Sequence, residues 1–204
     1  MAKTLTFNTA ITYAGQVYQQ AVVATGDNDS SSQPAAGIPA AKTGTLTTRT
    51  NATSGVLTMD SGHGFTTGAI ISLFWDGGSR HNVTLGTVST NSCPFSGGAG
   101  DDLPVATTAI TAMEPEVELV AFDGAAVTGA MAYWSPQPTD GDAYVEFLES
   151  DDTLITTFTL TADSPTSAWD GTGSDPFGSA AVGKVRFSHG QTGTRVMGEV
   201  CLYN

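Results

Sequence analysis

The chain has few basic residues. It contains 7 Lys and Arg against 20 Asp and Glu, which gives a formal net charge of −13. No Lys or Arg occurs between Arg80 and Lys184, and that interval holds 15 of the acidic residues. Because binding to a phosphate backbone needs several Lys or Arg contacts, this composition argues against direct nucleic-acid binding. The excess acid either keeps the chain soluble or meets basic surfaces of neighbouring copies or partners.

Cysteine and long apolar runs are also scarce. Cys93 and Cys201 are too few for a disulfide framework, and neither belongs to a CxxC motif. We expect buried free thiols, although the sequence leaves a single bridge open. The N-terminus has no apolar core of a signal peptide, and no run approaches the roughly 18 apolar residues of a membrane helix. We therefore expect a protein made in a cytosol, without a membrane segment.

Threonine and glycine are abundant instead. The chain has 31 Thr and 24 Gly, and its charged fraction is only 13%. Threonine favours strands and glycine favours turns, whereas the strong helix formers Lys and Arg are rare. The composition predicts an all-β protein.

The pattern of short apolar runs predicts three segments. Residues 1–43 contain two N-terminal strands followed by an extended arm rich in Ser, Pro and Ala. Residues 44–113 contain five short β-type runs with glycine at most corners, which is typical of a small β-barrel-like domain or a tight sandwich. Residues 114–204 contain six longer runs, which fit a β-sandwich or jelly roll. The N-terminal strands could also complete this last sheet, and the barrel would then be an insertion.

The stretch GHGFTTGAIISLFWDGG, residues 62–78, carries a histidine and an aspartate near glycines. It lacks the spacing of a phosphate-binding loop, and no GxSxG or HExxH motif occurs in the chain. Asp76-Gly77 between two β-type runs is a strong hairpin signal. We interpret the stretch as a strand between two turns, with His63 bonded to backbone. We expect His81 and His189 at further turns, and predict no catalytic residue, metal or cofactor.

Two other constellations leave alternatives open. Asp140-Gly141-Asp142 and Asp151-Asp152 are either calcium ligands or solvated loops, and the second pair is also predicted to form a hairpin turn. Trp134 and Trp169, with Asp170 beside the latter, are either core residues or a platform for a sugar ring.

Residues 44–110 resemble the small β domains of virion structural proteins of tailed bacteriophages. The resemblance rests on TGTLTTRTNATSGVLTMDSGHGFTTG, FWDGGSRHNVTLGTV and GGAGDDLP, together with the acidic all-β composition. It implies a head decoration (cement) protein, a neck or tail adaptor, or a baseplate or receptor-binding component. It supplies no functional residue.

Among these roles we expect a decoration protein on the outer surface of the virion. Negative charge suits that surface better than a lumen that contacts packaged DNA. The expected partners are a major capsid or tail protein and other copies of the chain, in a trimer. The arm, Thr25 to Gly44, and a loop predicted over Asn91 to Pro104 are the expected contacts, and the candidate residues within them are Gln33, Pro34, Ile38, Pro39, Pro94 and Phe95. The alternative is carbohydrate binding through Trp134 and Trp169.

Overall fold

The computed structural model describes ten stretches of the 204-residue chain. These are residues 3–4, 11–13, 16–22, 41–120, 127–135, 142–160, 167–170, 177–178, 180–190 and 197–203. Every regular element in these stretches is a strand, so the all-β prediction is confirmed. The described residues include no helix that could cross a membrane.

The described strands number sixteen. In chain order they are β1 (Lys3–Thr4), β2 (Ile11–Tyr13), β3 (Gln16–Val22), β4 (Lys42–Arg49), β5 (Ser54–Met59), β6 (Ile70–Trp75), β7 (Gly78–Leu85), β8 (Ser92–Gly100), β9 (Ala109–Met113), β10 (Glu116–Leu119), β11 (Gly129–Ser135), β12 (Ala143–Leu148), β13 (Leu154–Leu160), β14 (Ser167–Asp170), β15 (Lys184–His189) and β16 (Met197–Tyr203).

Strands β4 to β9 form a closed barrel in the order β4-β5-β8-β7-β6-β9. Every neighbouring pair is antiparallel. Closure leaves no sheet edge with unpaired backbone groups, which is how a short Thr-rich sheet avoids pairing with other chains. The predicted small barrel is therefore confirmed.

Apolar side chains that alternate along the six strands fill the barrel. Leu46, Leu57, Ile71, Leu73 and Val83 are completely buried at its centre. The remaining members of this core are Met59, Phe65, Leu85, Cys93, Phe95, Leu103, Ile110 and Ala112. Burial of a Val, Leu or Ile side chain contributes about 1.5 to 3 kcal/mol, so this cluster is what holds the barrel closed.

The turn between β6 and β7 follows the local sequence signal. Trp75 pairs with Gly78, which leaves Asp76 and Gly77 as a two-residue turn. Gly77 has a φ of 83°, a left-handed conformation that favours glycine. The predicted Asp-Gly hairpin is confirmed.

The prediction of a loop over Asn91 to Pro104 was wrong for most of its length. Ser92–Gly100 forms strand β8, which pairs with β5 on one side and with β7 on the other. Pro94 lies opposite Val56, and its carbonyl accepts a hydrogen bond from the Gly86 N–H. Proline and glycine have a low strand propensity, but the pairing of β8 on both sides outweighs it.

The remaining strands form two five-stranded sheets. Their orders are β1-β10-β15-β12-β13 and β14-β11-β16-β3-β2. Chain contacts divide the described strands into a barrel unit, which also includes Ser188–Gly190, and a second unit. Because β1 to β3 pair within the sheets of the second unit, the barrel is an insertion between β3 and β10. The arrangement of the two sheets as a sandwich stays a prediction.

Asp151-Asp152 forms the turn between β12 and β13, as predicted. The Glu149 N–H donates to the Thr153 carbonyl at 2.8 Å, and Asp152 has a φ of 73°. The carboxylate of Asp152 lies 2.9 Å from Lys184 Nζ and 3.1 Å from the buried Arg186 guanidinium. Two of the seven basic residues are thus paired with an acid of the same chain.

Replacing Gly55 with Ala tests the irregular pairing of β4 with β5. The register shifts between Leu46 and Thr48, and a Cβ at Gly55 would lie 2.2 Å from the Thr48 carbonyl oxygen. We expect Gly55→Ala to lower the free energy of unfolding by about 1 to 3 kcal/mol. Gly86→Ala is the matched control, because a Cβ there meets nothing closer than 3.5 Å. Denaturant titration, monitored by hydrogen exchange of barrel amides, measures the stability of both variants. Equal stability of the two variants would contradict the expectation.

Candidate functional site

Three connections lie at one end of the barrel. They are residues 50–53, 76–77 and 101–108, between β4 and β5, β6 and β7, and β8 and β9. The chain enters β4 and leaves β9 at the opposite end, where Lys42 pairs with Ala112. We call these three connections the rim.

Backbone hydrogen bonds hold the 101–108 connection against its neighbours. The Leu103 N–H donates to the Ala52 carbonyl at 2.9 Å, which links 101–108 to 50–53. The Asp101 N–H donates to the Ser79 carbonyl at 2.9 Å, which links 101–108 to the start of β7, directly after the 76–77 turn. The Asp101 carboxylate accepts the Ser79 N–H at 3.0 Å. The rim is therefore one ordered surface.

A buried arginine supports this surface from below. Arg80 is 5% exposed. Its guanidinium donates to four backbone carbonyls, three in the last four residues of β8 and one in the residue that follows the strand. The acceptors are Gly97 at 2.7 Å, Gly98 at 2.7 Å, Asp101 at 2.8 Å and Gly100 at 3.3 Å. The planar fork of an arginine can reach several acceptors at once, which an ammonium group cannot.

Glycine is required where the backbone turns its carbonyls towards Arg80. Gly98 has a φ of 73°, and a Cβ there would lie 2.3 Å from the His81 carbonyl oxygen. The run Ser96-Gly97-Gly98-Ala99-Gly100 is thus an adaptation to the buried guanidinium.

The solvent-facing charge of the rim is acidic. Asp76, Asp101 and Asp102 are exposed. Arg80 is buried, and the Nε of Arg49 donates to the Leu103 carbonyl at 2.9 Å. Arg49 is itself exposed, so three exposed acids face one exposed base, and the rim presents a net negative charge to a partner.

His63 is a turn residue with both ring nitrogens bonded to backbone. Nδ1 accepts the Phe65 N–H at 3.0 Å, so Nε2 carries the proton and donates to the Thr90 carbonyl at 3.0 Å. The interpretation of His63 as a residue that bonds to backbone is confirmed. These bonds join the 60–69 and 86–91 connections at the end of the barrel opposite the rim.

His81 lies in a buried polar network that the sequence did not indicate. It was expected at a turn, but it lies within β7. Its Nε2 is 3.1 Å from Ser79 Oγ, its Nδ1 is 3.2 Å from Ser72 Oγ, and Phe74 packs edge-on against its ring. Burial lowers the pKa of His81 to about 4, although the nearby charge of Asp101 acts in the opposite direction.

The distances between the serine hydroxyls and the His81 ring are those expected of a nucleophile and its base, but these side chains are buried, so a substrate could not reach them. Ser72 is completely buried, Ser79 is 7% exposed and His81 is 9% exposed. A general base works best with a pKa near the working pH, so a histidine with a pKa of about 4 is a weak base at neutral pH. These features favour a structural role, in which the ring satisfies two buried hydroxyl groups.

His189 was also expected at a turn and instead ends strand β15. It is completely buried, and its backbone N–H lies 3.1 Å from Met113 Sδ. The next residue, Gly190, accepts a hydrogen bond from the Thr111 hydroxyl at 3.2 Å. The short segment Ser188–Gly190 is therefore bound to β9 in the barrel unit.

The two candidate tryptophans lie in neighbouring strands. Trp169 in β14 pairs with Met131 in β11, and Trp134 lies three residues after Met131. Asp170 pairs with Ala130. A sugar platform built from these residues stays a prediction.

The candidate assembly contacts fall into two groups. Gln33, Pro34, Ile38 and Pro39 lie outside the described residues. Phe95 is 4% exposed within the barrel core, whereas Pro94 is partly buried in the same strand. The burial of Phe95 corrects the expectation that it contacts a partner.

The remaining candidates concern metals and thiols. No group of three or more His, Cys, Asp or Glu side chains comes together within the described ranges. Asp151 is exposed, and its pKa is lowered chiefly by a hydrogen bond from the Thr153 backbone. Cys93 is a free, buried thiol, as expected, and burial raises its pKa.

Comparison with family models, with curated proteins and with solved structures gives no match for this chain. The function is therefore inferred from its residues alone.

Proposed function

We propose that this chain is a non-enzymatic virion structural protein that decorates the outer surface of a capsid and bridges neighbouring subunits. The observation that carries the proposal is the unequal use of charge in the described residues. Arg80 and Arg186 are buried, and Lys184 and Arg186 are bound to Asp152. Lys42 and Arg49 are exposed, but exposed acids such as Asp60, Asp76 and Asp102 outnumber them.

This surface suits a protein partner with basic groups. Opposite charges accelerate and orient the encounter of two proteins, whereas a nucleic acid is repelled. A closed barrel has no open edge, so it can be displayed at high local concentration without pairing edge to edge. Both properties fit a module that is repeated many times on a shell.

The remaining parts of the proposal concern architecture and assembly. The two five-stranded sheets would pack as a β-sandwich or jelly roll. The predicted arm, Thr25 to Gly44, would be extended as far as Lys42, where β4 begins. The chain would assemble as a cyclic homo-oligomer, for which we propose a trimer. Repeated weak contacts on a symmetric shell then give tight attachment through avidity.

The arm is tested by a replacement that keeps its length. Gln33, Pro34, Ile38 and Pro39 are changed together to Ser, and binding is measured by co-sedimentation with empty shells of the major capsid protein encoded in the same genome. We expect at least a tenfold loss of affinity, because the arm loses its apolar anchors and its extended bias. Replacing Ser30, Ser31 and Ser32 with Gly is the matched control in the same segment.

The outcomes separate the parts of the proposal. If the unmodified chain does not bind the shells, the decoration role is wrong. If the Ser variant binds like the control, the arm is not the clamp. A cryo-EM reconstruction of the decorated shell tests the sandwich, the oligomer and the path of the arm together.

Carbohydrate binding is a second candidate, favoured by one observation. Met131, which pairs with Trp169 across the sheet, is 41% exposed, so this face of the ladder is open at that position. A glycan array with the unmodified chain and with Trp169→Ala tests it. Specific binding that the substitution abolishes would support a receptor-binding role, and an array without any signal would reject it.

A further inference from the structure

The rim carries an apolar tip. After Leu103, which is buried in the barrel core, the loop continues with Pro104, Val105 and Ala106. Val105 is 76% exposed. Among the residues whose exposure the structure describes, three further large apolar residues are exposed, Leu154 at 43%, Ile70 at 41% and Met131 at 41%, each less than Val105. An exposed valine alone needs no explanation, so its setting decides its meaning.

The tip is held on both sides. Leu103 is 3% exposed in the barrel core, and the Thr107 N–H donates to the Leu46 carbonyl at 2.7 Å. The hydroxyl of Thr108 donates to the carbonyl of Val105 itself at 2.7 Å. Val105 is therefore presented in a fixed position, which reduces the entropy lost when a partner orders it.

The same loop contains a strained residue. Thr107 has a φ of 76°, which is a rare conformation for a β-branched side chain. Such strain persists where the surrounding structure enforces it, and it concentrates at binding and switch sites. Bonds on both sides of Thr107 enforce the conformation and keep Val105 at the tip of the turn.

The charges around the tip define the chemistry of a partner. Asp101 and Asp102 precede it in the same loop, and Asp76 lies on the neighbouring turn; all three are exposed. Arg80 is buried beneath the loop, whereas Arg49 is exposed and donates to the Leu103 carbonyl, so the three acids are only partly offset. A complementary surface needs a small apolar pocket for Val105, bordered by Lys or Arg side chains.

We propose that the rim is a protein-docking surface in which Val105 inserts into an apolar pocket bordered by basic side chains on the partner. This inference rests on the proposed function, in which the pocket belongs to the capsid shell. It assigns the anchor to the inserted barrel, in addition to the arm.

Val105→Ser and Ile70→Ser form a matched pair of variants. Both residues are exposed and apolar, and Ile70 begins β6 at the end of the barrel opposite the rim. We expect Val105→Ser to weaken binding to the empty shells at least tenfold, as for an anchor residue at the centre of an interface. We expect Ile70→Ser to bind within twofold of the unmodified chain. Hydrogen exchange of barrel amides verifies that both variants are folded.

A second variant tests the charges. Asp76→Asn with Asp102→Asn should slow association and reduce the dependence of binding on salt, because complementary charge acts mainly on the encounter rate. If the unmodified chain does not bind the shells, both the decoration role and the docking surface are wrong. Shell binding that Val105→Ser leaves unchanged overturns the docking surface alone, and so does equal loss in the two serine variants.

Discussion

Replacing Arg80 with Met is expected to lower the free energy of unfolding of the barrel by about 3 to 5 kcal/mol. The guanidinium donates to four backbone carbonyls at distances of 2.7 to 3.3 Å. Met keeps the apolar stem but leaves these acceptors without their charged donor. Hydrogen bonds to charged groups contribute about 1.5 to 3 kcal/mol each, and their loss from one network is not additive.

Arg49→Met is the control for removing a positive charge near the rim. Arg49 is exposed and donates a single hydrogen bond, from Nε to the Leu103 carbonyl. We expect its loss to cost less than about 1 kcal/mol, as for exposed charged pairs. We expect the loss of stability in Arg80→Lys to fall between those in Arg49→Met and Arg80→Met, because one ammonium group cannot reach all four carbonyls.

Hydrogen exchange locates the effect of the Arg80 substitution. The Asp101 and Leu103 amides donate to Ser79 and Ala52 in the rim, so they are protected while the loop stays in place. In Arg80→Met these amides should exchange faster than amides in the β4–β5 hairpin. Unchanged protection, with stability within about 1 kcal/mol of the unmodified chain, would show that backbone bonds alone hold the rim.

Local turn chemistry made part of this fold predictable. Asp76-Gly77 and Asp151-Asp152 each join two runs of β-type residues, and both form the expected turns. Such signals depend on a few neighbouring residues, so the sequence carries them directly. A small barrel was one of two architectures expected from five short β-type runs, but the sixth strand, β8, and the order β4-β5-β8-β7-β6-β9 were not predicted.

Strand β8 shows why glycine and proline can mislead. Its segment contains Pro94 and three glycines, which are individually unfavourable in strands. Cys93 and Phe95, two positions apart, are both buried in the barrel core, and this spacing was the signal for a strand in the sequence. The carbonyls of the three glycines of β8 accept hydrogen bonds from Arg80, which is 17 to 20 residues away in the sequence.

The candidate site depended on contacts that no local pattern shows. The exposure of Val105 follows from bonds of its loop to Leu46 and Ala52, far from it in the sequence. His81 was expected at a turn, yet it lies within a strand, where the Ser72 and Ser79 hydroxyls and the Phe74 ring enclose it. Acidic composition indicated a basic partner, but only the fold separates buried arginines from exposed aspartates.

His81 is expected to make the barrel less stable as the pH falls from about 6.5 to about 4. The pKa of His81 in the folded chain is lowered to about 4 from an ordinary value of 6.5. The unfolded chain therefore binds a proton across this interval that the folded chain does not. The stability due to a neutral His81 is fully present above pH 6.5 and is lost as the pH falls towards 4.

The expected size of this loss is about 3 kcal/mol, since each tenfold change in proton affinity corresponds to about 1.4 kcal/mol. Its main cause is burial of the ring among Ser72, Ser79 and Phe74, where an imidazolium would lose its hydration. The carboxylate of Asp101 opposes the effect, because a nearby negative charge favours the protonated ring. The lowered value shows that burial exceeds this attraction.

His81→Gln isolates the contribution of His81 protonation to the free energy of unfolding, because Gln can bond to both hydroxyl groups but does not titrate. The difference in free energy of unfolding between the unmodified chain and this variant, measured by denaturant titration from pH 8 to pH 4, should shrink by about 3 kcal/mol as the pH falls. NMR of the His81 ring measures the protonation midpoint directly. A midpoint near 6.5, or a difference that does not change with pH, would mean that water reaches the ring and that the Ser72–His81–Ser79 network is open to solvent, which would reopen the question of a reactive serine at this position.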